Sequence, residues 1–163
     1  MKKTFFLLAL AASYCGFAQF GANAGYVNLN VKTESDSESY SGFSAGLTYE
    51  IPLSEVLSIR PELQFMSISS EGDSTSFMML PAAFMYNIGD SFNLQFGPSF
   101  KYHLEDSVDG YKNFTVDGLV GAAYSFTDNI YLQARYYLQL TNSLDADYTW
   151  KYNTLSLSVG YNF

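Results

Sequence analysis

From residue 20 to the end, apolar side chains recur on every second position, and no stretch follows the 3.6-residue period of a helix. The last segment shows this most clearly: Leu155, Leu157, Val159, Tyr161 and Phe163 share one parity, and Thr154, Ser156, Ser158, Gly160 and Asn162 the other. The same alternation runs through Phe43 to Ile51, Leu57 to Phe65, Leu94 to Leu104, Phe114 to Phe126 and Ile130 to Leu140. Two weaker segments complete the set. In residues 20 to 32 the apolar positions are Val27, Leu29 and Val31, and in residues 77 to 88 they are Met78, Leu80, Ala82, Phe84, Tyr86 and Ile88. Period two means two-faced strands, so the pattern predicts eight of them.

The connections alternate in length. Short turns are expected at 52–55, 89–91 and 127–129, and longer polar segments at 32–41, 67–76, 105–113 and 142–152. In an up-and-down meander this order puts every long loop at one end and every short turn, with both chain ends, at the other. The expected fold class is therefore all-β: an eight-stranded antiparallel up-and-down transmembrane β-barrel.

Alternation alone does not say which face meets lipid, since a soluble barrel has the same period. The polar parity decides. A solvent-exposed exterior would be rich in Lys and Glu, whereas these positions are mostly Gly, Ser, Thr, Asn and Gln, which suit a narrow lumen. Glu50, Arg60, Glu62, Lys101, Asp117 and Arg135 are isolated charges on that parity, three of each sign, as a closed interior requires if no ion is to stay unpaired. With His103 they form the expected interior polar network. Tyr and Phe near the strand ends suit the membrane interfaces. Three prolines, Pro61, Pro81 and Pro98, fall inside strands, where a closed barrel offers no edge. Bulges or water are expected there.

Composition changes the picture in three ways. The 28 Phe and Tyr residues and the low charge argue against disorder. An excess of 16 acidic over 8 basic residues argues against a nucleic-acid partner. Residues 1–18 read as a secretory signal: Lys2 and Lys3, an apolar run to Ala12, then Gly16-Phe17-Ala18 before a cut. The barrel domain would then be 19–163, with formal charge −10 and no cysteine, since Cys15 leaves with the leader. Tyr14 before Cys15 argues against a lipoprotein.

The terminal Leu155-Ser-Leu-Ser-Val-Gly-Tyr-Asn-Phe163, with Arg60-Pro61-Glu62-Leu63, Leu80-Pro81, Gly97-Pro98 and the opening Gly21-Ala22-Asn23-Ala24-Gly25, carries a family resemblance. The chain resembles the small eight-stranded outer-membrane barrels of the OmpX-like and OmpA-transmembrane-like type, in particular the outer-membrane-protein β-barrel-domain, or "porin", family. The resemblance covers essentially the whole mature chain. It implies a Gram-negative cell outer membrane, lipid and lipopolysaccharide as surroundings, and a monomer. It also implies that the aromatic-ended last strand, with Tyr161 and Phe163, is read by the barrel assembly machinery.

Chemistry is sparse. His103, the single histidine, is expected near Asp117 with Lys101 one step deeper, and with Ser99 or Thr115 this resembles the start of a hydrolytic triad of membrane acyl-editing enzymes. No Gly-x-Ser-x-Gly elbow accompanies it, and a hydrogen-bonded interior network explains the same residues, so catalytic, cofactor and metal sites are all expected to be absent. Eight strands enclose a lumen that side chains can fill. A plugged barrel is thus expected, with a small-solute pore as the alternative and an outer-membrane hydrolase as a further one. The loops are acidic: Glu34, Asp36, Glu38, Asp145 and Asp147 mark them as the surface for an unidentified extracellular partner. Their alternating carboxylates lack the turn glycine of a calcium loop.

Overall fold

The computed structural model describes residues 19–32, 37–70, 73–104, 113–141 and 151–163. They form a closed barrel of eight strands, each paired antiparallel with its neighbours in chain order: β1 (Gln19–Lys32), β2 (Ser37–Pro52), β3 (Leu57–Ser70), β4 (Asp73–Ile88), β5 (Phe92–His103), β6 (Phe114–Ser125), β7 (Ile130–Gln139) and β8 (Lys151–Asn162). β1 closes on β8 through twelve facing pairs, from Gly21 opposite Asn162 to Lys32 opposite Lys151.

The short turns follow from their side chains. Ser54 Oγ accepts hydrogen bonds from the backbone N–H groups of Val56 and Leu57 at 3.4 and 3.1 Å, and Thr127 Oγ1 does the same for Asn129 and Ile130 at 3.3 and 3.0 Å. These hydroxyls substitute for ladder partners where the chain reverses. Gly89 has φ +66°, a conformation with little steric cost only for glycine. At the same end the last residue is tied down: Phe163 N–H donates to Phe20 O at 2.8 Å.

The long-loop end departs from expectation. The segments 32–41 and 67–76, read as loops, are largely strand, because β1 to β4 run for 14 to 16 residues while β5 to β8 have 10 to 12. A membrane crossing needs about 9–11 residues, so the first two hairpins stand taller than the rest of the rim. Ladder pairing carries these Ser-rich stretches in spite of their low strand propensity.

Exposure identifies the faces. Phe43, Leu47, Leu63, Leu94, Val120 and Leu157 point outward and are exposed, while Ser44, Glu62, Gln95, Lys101, Arg135 and Ser156 point inward and are buried. Leu47 is 63% exposed and Glu62 4%, an inversion of the soluble pattern that only a lipid-facing exterior tolerates. An arginine at Leu47, in the middle of the apolar run of β2, is expected to destabilise the barrel by about 2–4 kcal/mol. Urea titration of Leu47→Arg in lipid vesicles measures it.

β1 corrects the parity reading. Val27 and Leu29, grouped as its apolar face, point into the barrel, and the outward positions are Phe20, Ala22, Ala24 and Tyr26. Both inward residues join an apolar cluster with Met66, Ile68, Phe77, Met79, Ala83, Leu119 and Tyr137, against which Tyr40 packs. The cluster fills the lumen towards the long-loop end. Lys101, opposite Met79, and Asp117 share this part of the lumen, so apolar side chains and an ion pair stand together on the inward face and parity no longer reads as polarity.

No bulge is present at the three prolines. The β2–β3 ladder skips the positions of Pro61 and Arg60, the β3–β4 ladder those of Pro81 and Leu80, and the β4–β5 ladder those of Pro98 and Gly97; each resumes in the same register. Every proline stays paired on its other side, with Ala82, Ser99 and Gly118 respectively. The missing N–H costs pairing towards the preceding strand only.

Candidate functional site: the barrel interior

The inward face is shaped by glycine next to long side chains. A Cβ on Gly160 would lie 2.0 Å from Tyr131 Cζ, one on Gly121 2.8 Å from Arg135 Cγ, and one on Gly46 2.6 Å from Gln64 Cγ. In each case the neighbouring strand's side chain lies across the glycine, which lets a narrow barrel hold large polar groups.

Arg135 on β7 reaches across the lumen to β3, four strands away and so diametrically opposite. Its Nη1 donates to Glu62 Oε2 at 2.7 Å and its Nη2 to Glu62 Oε1 at 2.6 Å, a bidentate pair with both side chains fully buried. Its Nε donates to Gln95 Oε1 at 2.6 Å, and Gln95 in turn donates to Asn93 Oδ1 at 2.8 Å. Glu62 also accepts from Gln64 Nε2 at 2.8 Å and from Asn23 Nδ2 at 3.4 Å. The carboxylate therefore has four donors, as a buried charge requires.

A second tie joins the same two strands in the opposite sense. The Arg60 guanidinium on β3 lies 4.7 Å from the Tyr131 ring centre on β7, within cation–π range. Arg60 is also ion-paired with Glu50, whose Oε1 accepts from Ser58 Oγ at 2.9 Å.

The remaining charges form a third group. Lys101 Nζ lies 2.7 Å from Asp117 Oδ2, both residues are buried, and Nζ stands 5.9 Å from the Phe77 ring centre. The contact is ionic without the alignment of a directed hydrogen bond, for neither Asp117 oxygen has a hydrogen-bond partner. His103 packs against Phe77, ring centres 4.5 Å apart and edge to face, and its backbone N–H donates to Asn113 O. Ser99 stands opposite Asp117 and Thr115 opposite Lys101 in the ladder, yet both hydroxyls are buried without a hydrogen-bond partner. The acid is thus engaged by the lysine, and among the described residues no hydroxyl is hydrogen-bonded to the imidazole. This arrangement holds the lysine and the acid together as an ion pair beside the imidazole.

Seven residues considered as one network thus fall into three groups: Glu62 with Arg135, Glu50 with Arg60, and Lys101 with Asp117 beside His103. Asn23, Gln95 and Phe77 complete them. The inward parity marked Gln95 in advance, whereas Asn23 shares the parity of Val27 and Leu29, read as lipid-facing, and Phe77 lay on a parity that reads apolar on both sides of β4. Among the described residues no group of three or more His, Cys, Asp or Glu could hold a metal ion. Of the loop acids, Glu34, Asp36, Asp145 and Asp147 lie outside the described residues, and Glu38 is placed by its backbone in β2, opposite Val31. Tyr161 and Phe163 face outward at the short-turn end, ring centres 5.4 Å apart.

Known structures share the architecture. The attachment invasion locus protein Ail of Yersinia pestis superposes with TM-score 0.62 at 16% identity, covering 90% of this chain and 99% of its own. Neisserial surface protein A gives 0.57 at 16%, with 90% and 99% covered, and the outer membrane enzyme PagL gives 0.61 at 14%, with 87% and 98%. At such identities the likeness is one of fold, and one of the three is described as an enzyme. No curated protein matches the sequence. The sequence does match the outer membrane protein beta-barrel domain over residues 4–163, and with the closed eight-stranded barrel and its apolar exterior this makes the chain a member of that outer-membrane family.

Proposed function

We propose that this protein is a non-conducting, monomeric outer-membrane barrel whose role is structural or adhesive, exercised by what it presents beyond the membrane. The observation that carries this reading is the filled lumen. The Glu62–Arg135 pair spans it from wall to wall, and the cluster around Val27, Met79 and Leu119 occupies the storey above. What remains available to a partner is the rim: the tall β1–β2 and β3–β4 hairpins and the acidic loops bearing Glu34, Asp36, Glu38, Asp145 and Asp147. On this reading the leader is cut after Ala18, the long loops face out of the cell, and the assembly machinery engages Tyr161 and Phe163.

Catalysis has less support, because Asp117 serves Lys101 and His103 packs on Phe77. Planar-bilayer recordings of the purified barrel test the proposal. The expected record has no steady steps; ohmic single-channel openings from the monomer would replace it with the small-solute pore.

A further inference from the structure

The first rung of the barrel places a glutamine at the floor of the lumen. β1 opens at Gln19, which stands opposite Glu50 in the β1–β2 ladder. Gln19 shares the parity of Gly21 and Asn23, both buried inside, and is itself exposed at the short-turn end. Next to it, Phe20 O accepts from Phe163 N–H on the β8 side. Backbone groups of an antiparallel strand turn alternately to its two neighbours, so the nitrogen of Gln19 is turned the other way, to β2 and Glu50.

Removal of the leader after Ala18, as proposed above, makes that nitrogen an α-amine. Such an amine ionises close to neutral pH, so a fraction of it is always the nucleophilic free base. Its own side-chain carbonyl carbon, Cδ, lies within reach through a five-membered ring, and attack within one residue gains the high effective concentration of an intramolecular step. The N–Cδ bond forms, the Cδ–Nε2 bond breaks, and the proton released by the amine leaves with Nε2 as ammonia. No oxidant, metal or second substrate enters the balance. The product, pyroglutamate, carries no charge.

The surroundings favour the uncharged form. Arg60 is buried, its Nε and Nη1 have no hydrogen-bond partner among the described residues, and its ion-pair partner is Glu50. Glu50 Oε1 also accepts from Ser58 Oγ at 2.9 Å. Residues facing each other on a rung hold their Cβ atoms about 4.5–5.5 Å apart. An ammonium on Gln19 would therefore compete with Arg60 for one carboxylate, and a buried guanidinium without its counter-ion is the costly outcome.

We propose that Gln19 of the mature chain is converted to pyroglutamate, so that the first rung carries a lactam in place of an ammonium and Glu50 is left to Arg60. The inference rests on the leader reading, and its test separates the two.

Outer membranes from cells making the full precursor are acidified at lysis, which protonates the amine and halts further closure. Intact mass is then measured without digestion. The expected mass is that of residues 19–163 less one ammonia. Edman degradation should give no sequence until pyroglutamyl aminopeptidase has acted on the unfolded chain, and should then start at Phe20. A chain that starts at Gln19 with its full mass would overturn the lactam and uphold the cut, whereas a chain that starts at any other residue would overturn both. Gln19→Asn, whose shorter side chain would need a four-membered ring, should show full mass and an open terminus. A variant that is also one ammonia light would place the loss elsewhere and overturn the assignment to Gln19. The coupling between Glu50 and Arg60, from a double-mutant cycle of urea midpoints, should be weaker in the Gln19→Asn background; an unchanged coupling would overturn the competition for Glu50.

Discussion

Gly25→Val abolishes the folded barrel, read as loss of the heat-modifiable band on a detergent gel, whereas Gly118→Val retains it. A Cβ at position 25 points inward and would lie 2.2 Å from Leu157 O and 2.5 Å from Ser158 Cα, both backbone atoms of β8. A flexible side chain could swing away from such contacts; a paired strand can move only by giving up its ladder. Position 25 lies on the seam where the first strand closes on the last, so the displacement opens the barrel itself. Ordinary overpacking costs about 1–3 kcal/mol, and this exceeds it because unpaired N–H and C=O groups would then face hydrocarbon. At Gly118 the added atom makes ordinary contacts on the lipid face, with the Leu140 side chain 3.6 Å and Leu138 O 3.9 Å away. Equal loss of both variants would mean that glycine is needed for the backbone and not for space.

Removing one partner of the cross-lumen pair has the next largest effect. Glu62→Ala should destabilise the barrel by about 3–5 kcal/mol, since it leaves the Arg135 guanidinium buried without its counter-charge, with Gln95 Oε1 still accepting from Nε. Glu62→Met combined with Arg135→Met should recover most of the loss, because well-packed apolar residues of similar volume avoid the desolvation of both ions. Urea unfolding of the refolded protein in vesicles gives both numbers. Added salt should change them little, as the pair lies beyond the reach of screening ions. A single variant that unfolds like the parent would mean that water replaces the carboxylate and the lumen is wetter than its packing indicates.

Much of the candidate site was legible because inward parity is a local property. Glu50, Arg60, Glu62, Lys101, Asp117 and Arg135 could be assigned to the interior from their neighbours in sequence alone. Their partners could not. Glu62 and Arg135 are separated by 73 positions and meet only because β3 and β7 stand opposite each other in a ring of eight. His103 stands within electrostatic reach of Asp117 and Lys101, as the hairpin predicts, but its ring packs on Phe77 while the ammonium one step deeper takes the carboxylate.

The rim teaches the same lesson from the other side. Ser37 to Ser41 and Ser67 to Ser70 read as loop by composition, yet pairing with β1 and β4 holds them as strand. In β1 the apolar residues Val27 and Leu29 read as lipid-facing, and in the barrel they point inward, where they pack with Met66, Met79 and Leu119 above the Glu62–Arg135 pair. The alternation of side chains by itself determined the class of fold, the number of strands and the lipid-facing wall of seven of them, because a period of two is written residue by residue into the chain. Closure decided the rest: which charges meet across the lumen, which apolar side chains fill it, where the prolines interrupt the ladder and how high the hairpins stand. Each depends on the register between strands, and that is set only when the last strand pairs with the first.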